Sequence, residues 1–242
     1  MLNSLVNRAG ELRPLLIAGV FVGVFYSGWF VDGPSAAEQP KVLPPPLSDV
    51  PDKAATQTAV FAGGCFWGTQ GVFQHVNGVV ATAAGYDGGT KETAVYEITE
   101  TGATDHAEAV QIVFDPQKVS YGTLLQVFFS VAHDPTQLNR QGADVGTQYR
   151  SAIFPQTAEQ ASVAEKYIKQ LDGTHSFGSP IVTKIESDKV FYRAEDYHQD
   201  YLVNNPTQSY IAFVEQPKVD ALRQLFPSLW RETPLLTTDQ RG

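Results

Sequence analysis

A single cysteine is the most reactive side chain that the 242 residues offer, and it lies in the segment Phe61-Ala-Gly-Gly-Cys-Phe-Trp-Gly68. The apolar run before the glycine pair predicts a strand, and the mildly amphipathic residues after it predict a helix that Cys65 opens. Free N–H groups at a helix start favour a thiolate over a thiol, which makes the sulfur nucleophilic. Lone cysteines are more often structural and buried. The two glycines before Cys65, and the aromatic Phe66 and Trp67 after it, favour a reactive sulfur beside a small apolar pocket.

When a thiolate displaces a group that leaves as an oxygen, a nearby acid must protonate that oxygen. Glu108 is the best candidate for this acid in the sequence. It lies between two alanines at the start of the apolar run Ala107 to Phe114, where burial would raise the pKa of a carboxyl group and keep it protonated at neutral pH. The alternative is a glutamate that faces water from an edge strand, and the pattern supports both equally. Tyr86, Tyr96 and Tyr149 are candidate hydroxyl donors, although aromatic residues in strands more often serve packing.

The five histidines define no further chemistry. They do not fall at metal-ligand spacing, so the sequence predicts no metal site. A Cys–His hydrolase pair would be compatible with any of them, and nothing selects one of the set His75, His106, His133, His175 and His198.

The elements that must position these residues alternate along the chain. Strand patterns occur at Gly78 to Gly85, Val95 to Thr99, Ala107 to Phe114, Gln148 to Phe154 and Ile181 to Ile185. Helical spacing occurs over Ser120 to Ala132, Ala158 to Leu171 (after a Pro155-Gln-Thr157 cap) and Lys218 to Phe226. Connections of mixed length favour a mixed β-sheet flanked by helices, an α+β fold, over a doubly wound parallel sheet.

The composition is that of a globular domain without a nucleic-acid partner. Hydrophobic residues make up 43% and charged residues 18% of the chain, which suffices for a full core. A formal net charge of −9, with no lysine or arginine run, lacks the clustered basic surface that phosphate binding needs. One cysteine excludes an internal disulfide and a cysteine-rich metal site.

The N-terminus has the pattern of an export signal. Arg8 and Arg13 precede the uncharged run Pro14 to Val31, and Ser35-Ala36-Ala37 offers the small residues of a cleavage site. The run is also just long enough for an uncleaved membrane anchor. We therefore expect a signal peptide or anchor at 1–37, a disordered linker at 38–56, a catalytic domain at 57–228 and a C-terminal tail at 229–242. The protein is expected in the periplasm, or anchored to the membrane facing it.

Six motifs in order resemble the A-type peptide-methionine sulfoxide reductases, over about Thr58 to Phe226. They are Gly64-Cys-Phe-Trp-Gly68, Ala84-Gly-Tyr86, His106-Ala-Glu-Ala109, His133-Asp-Pro135, Gly146-Thr-Gln-Tyr-Arg-Ser151 and Ala194-Glu-Asp-Tyr-His-Gln199. This family reduces the S-epimer of methionine sulfoxide, in proteins and as the free amino acid. The resemblance implies a ferredoxin-like α/β plait and no cofactor.

The resemblance also implies residue roles. Cys65 matches the family's nucleophile and Glu108 its acid, while Phe66 and Trp67 match the aromatic residues that hold the substrate methyl group. Tyr96 and Tyr149 match the tyrosines that bind the sulfoxide oxygen, and Asp144 matches the aspartate beside them. The implied product on the enzyme is a sulfenic acid on the cysteine.

Two departures from the family pattern affect these expectations. Asp105 stands where the pattern usually has glycine, which would add a negative charge near Glu108 and either raise the pKa of Glu108 further or alter the geometry of the loop. The second or third cysteine that resolves the sulfenic acid in many relatives is missing here, so an external thiol, such as a thioredoxin-like protein, must reduce Cys65. A catalytically silent domain that binds oxidised methionine through Phe66 and Trp67 is the alternative hypothesis.

Overall fold

Six strands form one mixed sheet in the order β7–β6–β1–β3–β2–β8. The computed structural model describes residues 39–51 and 54–240. The strands are β1 (Gln57–Gly63), β2 (Val79–Asp87), β3 (Ala107–Phe114), β6 (Ser151–Ile153), β7 (Lys184–Ile185) and β8 (Tyr192–Arg193). A separate two-stranded ribbon pairs β4 (Arg140–Gln141) with β5 (Asp144–Val145). Strands β6 and β7 pair in parallel, and the other pairs of the large sheet are antiparallel.

The helices are α1 (Phe66–Gln74), α2 (Tyr96–Thr99), α3 (Tyr121–Val127), α4 (Ala158–Gly173), α5 (Tyr201–Asn204) and α6 (Gln216–Leu225). A π-helical turn, Phe128–Ala132, continues α3, and a second one, Ile211–Glu215, leads into α6. Short 3-10 turns cover Lys91–Thr93, Thr147–Tyr149, Asp196–His198 and Thr237–Gln240. The chain order β1–α1–β2–β3–α3–β6, with spatial order β6–β1–β3–β2, is that of a ferredoxin-like plait, so the expected α+β fold is confirmed.

Residues alternate between the two faces of the sheet, and this alternation decides where Glu108 points. Val110, Ile112 and Phe114 of β3 pack in the main core with the helices, whereas Ala107 and Ala109 belong to a smaller cluster on the opposite face. Glu108 shares its parity with Val110, so it points to the helical face, where α1 lies.

The segment before β1 differs from the disordered linker that we expected at 38–56. Leu43 is buried, with 2% of its surface exposed, and its N–H donates to Ser130 Oγ at 3.2 Å. The hydroxyl of Tyr167 donates to the carbonyl of Pro44 at 2.8 Å, and Asp49 accepts the N–H of Gly122 at 2.7 Å. Proline and alanine content predicted disorder, but residues 39–51 form a strap, because helices α3 and α4 satisfy its backbone groups and bury Leu43.

Three predicted strands also differ from the structure, and one of them, Ile181 to Ile185, is reduced to Lys184–Ile185. Val95 to Thr99 forms the single-turn helix α2, since the carboxylate of Glu195 accepts the N–H of Tyr96 at 3.0 Å and caps its start. The strand predicted at Gln148 to Phe154 is reduced to Ser151–Ile153, because the 3-10 turn Thr147–Tyr149 precedes it.

Expectations for the two ends of the chain concerned a C-terminal tail and an N-terminal signal or anchor. Arg231 N–H donates to the carbonyl of His75 at 2.7 Å, so the C-terminal tail packs on the domain. The predicted signal or anchor at 1–37 lies outside the described residues. Within residues 39–51 and 54–240, no helix combines the length and the apolar character that a membrane crossing requires.

Candidate active site

Cys65 occupies the turn between β1 and α1 and is the N-cap residue of α1, as the sequence predicted. The preceding Gly64 has a φ of 86°, and a Cβ there would lie 2.6 Å from the side chain of Gln141. Only glycine fits both the left-handed backbone and this close approach. The turn therefore fixes the cysteine at the helix start, where 6% of its surface is exposed.

Glu108 points at the same helix start. Its Oε2 accepts the backbone N–H of Phe66 at 3.0 Å, and the residue is 3% exposed, so the water-facing alternative is wrong. Burial raises the pKa of Glu108 to about 8, against the Phe66 hydrogen bond, which lowers it. The negative charges of Asp144 and Glu215 add to the increase. Glu108 is thus a protonated acid near neutral pH.

One cavity of about 140 Å³ brings the predicted residues together. All seven predicted site residues line it, together with one tyrosine that the sequence analysis did not select: Cys65, Phe66, Trp67, Tyr96, Glu108, Asp144, Tyr149 and Tyr210. The sulfur, the acid, the phenols and the aromatic rings thus share a space that suits a small sulfoxide side chain.

The resting state of Cys65 differs from the thiolate that its helix position predicted. Burial raises the pKa of Cys65 well above its usual value, and the charges of Glu108 and Glu215 raise it further. The N–H of Trp67 and the cation of Lys218 lower it, but these contributions are smaller. Desolvation outweighs the helix start because the sulfur has little contact with water. Cys65 rests as a thiol beside a protonated carboxyl group.

The phenols of Tyr96 and Tyr149 line this pocket. Burial raises the pKa of Tyr96 to about 12 and raises the pKa of Tyr149 further, and in both cases the charge of Glu108 adds to the effect. Both hydroxyls therefore keep their protons near neutral pH. Tyr86, the third candidate from the sequence, instead donates to Glu195 Oε2 at 2.8 Å. It supports the capped turn of Tyr96 and does not line the pocket.

Aromatic stacking fixes the apolar wall of the pocket. The ring of Trp67 stacks on Tyr201 at a centroid distance of 3.8 Å, and its Nε1–H donates to Nδ1 of His198 at 3.1 Å. Phe66 packs against His198 at 5.0 Å. His198 is buried and its pKa is lowered, chiefly by desolvation, so the neutral imidazole accepts the indole hydrogen. The sequence analysis did not assign this role to His198.

Two more functional candidates were missed, Tyr210 and Glu215. The hydroxyl of Tyr210 lies within hydrogen-bonding distance of the carboxylates of both Asp144 and Glu215, and it lines the pocket. The spacing of Tyr210, Glu215 and Lys218 beside the predicted helix was a signal, since an acid three residues before a lysine suggests an ion pair. A fold was needed to show that this pair faces Cys65.

Other expectations concern metals and Asp105. Among the described residues, no group of three or more His, Cys, Asp or Glu side chains could hold a metal ion. Asp105 is exposed, and its carbonyl accepts from Arg150 at 2.9 Å. The carboxylates that raise the pKa of Glu108 are Asp144 and Glu215, so the expected effect of Asp105 on Glu108 is not found.

Comparison with known proteins adds an independent finding. The family model described as Peptide methionine sulfoxide reductase matches residues 57–229. Peptide methionine sulfoxide reductase MsrA 2 of Mesorhizobium japonicum is 59% identical over 187 residues, covering 76% of this chain and 96% of that protein. The protein of the same name from Synechocystis is 50% identical over 190 residues, covering 77% and 89%.

Two solved structures are similar as well. Mxr1 from Saccharomyces cerevisiae in reduced form has a TM-score of 0.57 and 35% identity, covering 67% of this chain and 92% of that one. Methionine sulfoxide reductase A of Corynebacterium diphtheriae has a TM-score of 0.53 and 35% identity, covering 70% and 83%.

Proposed function

The chain belongs to the peptide methionine sulfoxide reductase family, and on that premise we propose that it reduces the S-epimer of methionine sulfoxide through a sulfenic acid on Cys65. It is an oxidoreductase that returns methionine sulfoxide to methionine. The observation that carries the residue roles is the pairing of Cys65 with Glu108. Both side chains are buried at the start of α1, and Glu108 bonds to the N–H of the residue that follows the cysteine.

The side chains of this pocket supply the protons and the electron pair that the reaction needs. Cys65 Sγ attacks the sulfoxide sulfur, and Glu108 protonates the sulfoxide oxygen while the sulfur–oxygen bond weakens. The oxygen passes to Sγ with that proton, the substrate sulfur keeps the electron pair as methionine, and Cys65 becomes a sulfenic acid. The thiol proton returns to Glu108. The cysteine is oxidised by two electrons and the sulfoxide is reduced by two.

The remaining pocket residues bind and orient the substrate. Tyr96 and Tyr149 donate their hydroxyl hydrogens to the sulfoxide oxygen, and the loss of water from the cavity strengthens these bonds. Phe66 and Trp67 contact the methyl group, with Trp67 held by Tyr201 and His198. Asp144 holds the hydroxyl of Tyr210 beside them.

An external thiol completes the cycle. The chain has one cysteine, so no second thiol can form an internal disulfide with the sulfenic acid. We propose a thioredoxin-like protein as the reductant, one thiol of which reacts with the Cys65 sulfenic acid to form a mixed disulfide, while the proton of that thiol leaves with the sulfenic hydroxyl as water. A second thiol of the reductant then releases the Cys65 thiol.

We also propose that the protein acts on the envelope side of the membrane. Support comes from Arg8 and Arg13 before the apolar run 14–31 and from the small residues 35–37. Cleavage after Ala37 would retain the strap 39–51, which the domain binds. The segment would otherwise stay as a membrane anchor. The mass of the mature N-terminus, from membranes and from soluble extract, distinguishes the two outcomes.

The activity is tested with dabsylated methionine sulfoxide and dithiothreitol, using the S- and R-epimers in separate reactions. We expect methionine from the S-epimer only. Methionine from the R-epimer alone would overturn the epimer assignment. If the S-epimer binds and stays unreduced, the protein is instead the silent binding domain.

A further inference from the structure

The hydroxyl of Tyr210 lies between two carboxylates. It donates to Asp144, a pocket residue, and also lies 2.9 Å from Oε1 of Glu215. A phenol has one hydrogen to donate, so the orientation of this hydroxyl depends on both acids. Tyr210 lines the catalytic pocket, and the direction of its hydrogen therefore affects what the substrate meets.

Glu215 is a buried member of an ion pair. Only 1% of its side chain is exposed, and its Oε2 accepts a hydrogen bond from Lys218 Nζ at 2.7 Å. The hydroxyl oxygen of Tyr210 lies 2.9 Å from the other carboxylate oxygen, Oε1. A buried carboxylate is costly unless hydrogen bonds and a counter-ion compensate for lost hydration, and here Lys218 supplies both a hydrogen bond and the counter-ion.

Glu215 also lies against the helix that Cys65 caps. A Cβ built on Gly68, in the first turn of α1, would lie 1.5 Å from Glu215 Oε2. The carboxylate thus takes the space that any other residue at position 68 would fill. At this position its negative charge acts on both Cys65 and Glu108 and raises their pKa values.

We propose that Glu215 is a positioning residue for sulfoxide reduction. Paired with Lys218, it fixes the Tyr210 hydroxyl in the pocket and holds a negative charge near Cys65. The inference rests on the proposed function of the Cys65 pocket. Glu215 touches no reacting atom, and it acts through Tyr210 and through its charge.

Several ionisable groups set the electrostatic effect. Those around the pair of Glu215 and Lys218 are Tyr210 just before the π-turn, Asp144 of β5, Glu108 of β3, Cys65 before α1 and His133 near Lys218. His133 is neutral, since burial lowers its pKa to about 3. Glu215 and Glu108 oppose ionisation of Cys65, and Lys218 favours it.

The test compares Glu215→Gln with Asp115→Asn in single-turnover reduction of the S-epimer. Asp115 pairs with Lys118 at 3.1 Å with the same three-residue spacing, but on the surface. We expect Glu215→Gln to slow the first phase roughly tenfold. The decline of its rate at high pH should also begin about one pH unit lower, because the loss of one negative charge near Glu108 lowers the pKa of that acid. Asp115→Asn should match the wild type in both.

A double-mutant cycle with Tyr210→Phe separates positioning from folding. Once the hydroxyl is removed, Glu215→Gln should slow the reaction less than about threefold further, whereas a purely structural effect would multiply. If Glu215→Gln lowers the melting temperature, the double variant Glu215→Gln/Lys218→Met replaces it in the test, because it leaves no unpaired buried charge. It should also slow the reaction, and this loss should again be small in the Tyr210→Phe background.

The inference is overturned if Glu215→Gln keeps the wild-type rate and pH profile, or if its effect is additive with Tyr210→Phe. An inactive wild type would instead reject the proposed function itself.

Discussion

The carboxylate of Glu108 accepts the backbone N–H of Phe66 at 3.0 Å, at the residue directly after Cys65. One hydrogen bond thus ties the acid on β3 to the turn that carries the sulfur. It holds the proposed proton donor next to the proposed nucleophile through the backbone of the neighbouring residue. Burial raises the pKa of both groups, so both keep the protons that the proposed first reaction step uses.

Replacing this acid should affect the chemical step more than binding. Glu108→Gln keeps the shape of the side chain but cannot give up a proton, and loss of a general acid costs about 10² to 10⁴ in rate. We expect the single-turnover rate to fall by that factor with little change in KM, measured by rapid quench. Glu165→Gln, an exposed change on α4, is the control and should leave the rate unchanged. A Glu108→Gln variant as fast as wild type would place the acid elsewhere.

The pH dependence follows from the raised pKa of Glu108. The acid form is required, and it is lost as pH rises through about 8, so the first-phase rate should be highest below that pH and decline above it. The decline precedes ionisation of Cys65, whose pKa lies higher still. Single-turnover rates between pH 6 and pH 10 measure this, with buffers of constant ionic strength. A rate that rises steadily through that range would show that thiolate formation, and not the acid, limits the reaction.

Removing the sulfur should abolish reduction and preserve the fold. In Cys65→Ser the hydroxyl is nearly the same size, but it is far less acidic and its oxygen attacks sulfur poorly. We expect no methionine above the uncatalysed background and a thermal midpoint close to that of the wild type. Appreciable turnover by this variant would remove Cys65 from the role of nucleophile.

How much of this could be predicted from sequence depended on the range of the interactions. The start of α1 at Phe66, the cap at Thr157 and strand Ala107–Phe114 follow from local patterns, and all three are present. The direction of Glu108 needed the parity of β3 and the position of α1. Tyr210 needed a contact with Asp144, 66 positions away in the chain. No local sequence pattern indicates a contact between residues so far apart in the chain.

The protonation state of Cys65 likewise depends on contacts that a local sequence pattern does not show. Its helix position was predicted, but the extent of desolvation depends on all the residues that cover the sulfur. The strap is another case, because its prolines predict irregular backbone correctly, and only α3 and α4 show that this backbone is bound. Composition described the local preference and tertiary contacts decided the outcome.

The strap makes a stability prediction with an internal control. Leu43→Ala removes a side chain that is 2% exposed, which should reduce the free energy of unfolding by about 2 to 4 kcal/mol. Leu47→Ala, four residues along the same strap, changes a side chain that is 90% exposed and should cost less than about 0.5 kcal/mol. Urea denaturation of the chain measures both. Equal midpoints for the two variants would mean that the strap does not pack in solution.

The most direct test of the one-cysteine cycle mixes the protein with the S-epimer of methionine sulfoxide in the absence of any thiol. Dimedone then traps the product, and mass spectrometry locates the adduct. We expect one methionine per protein in a fast first phase, no further turnover, and one dimedone on the peptide that contains Cys65. Continued turnover without added thiol, or an unlabelled Cys65 after methionine has formed, would contradict the account.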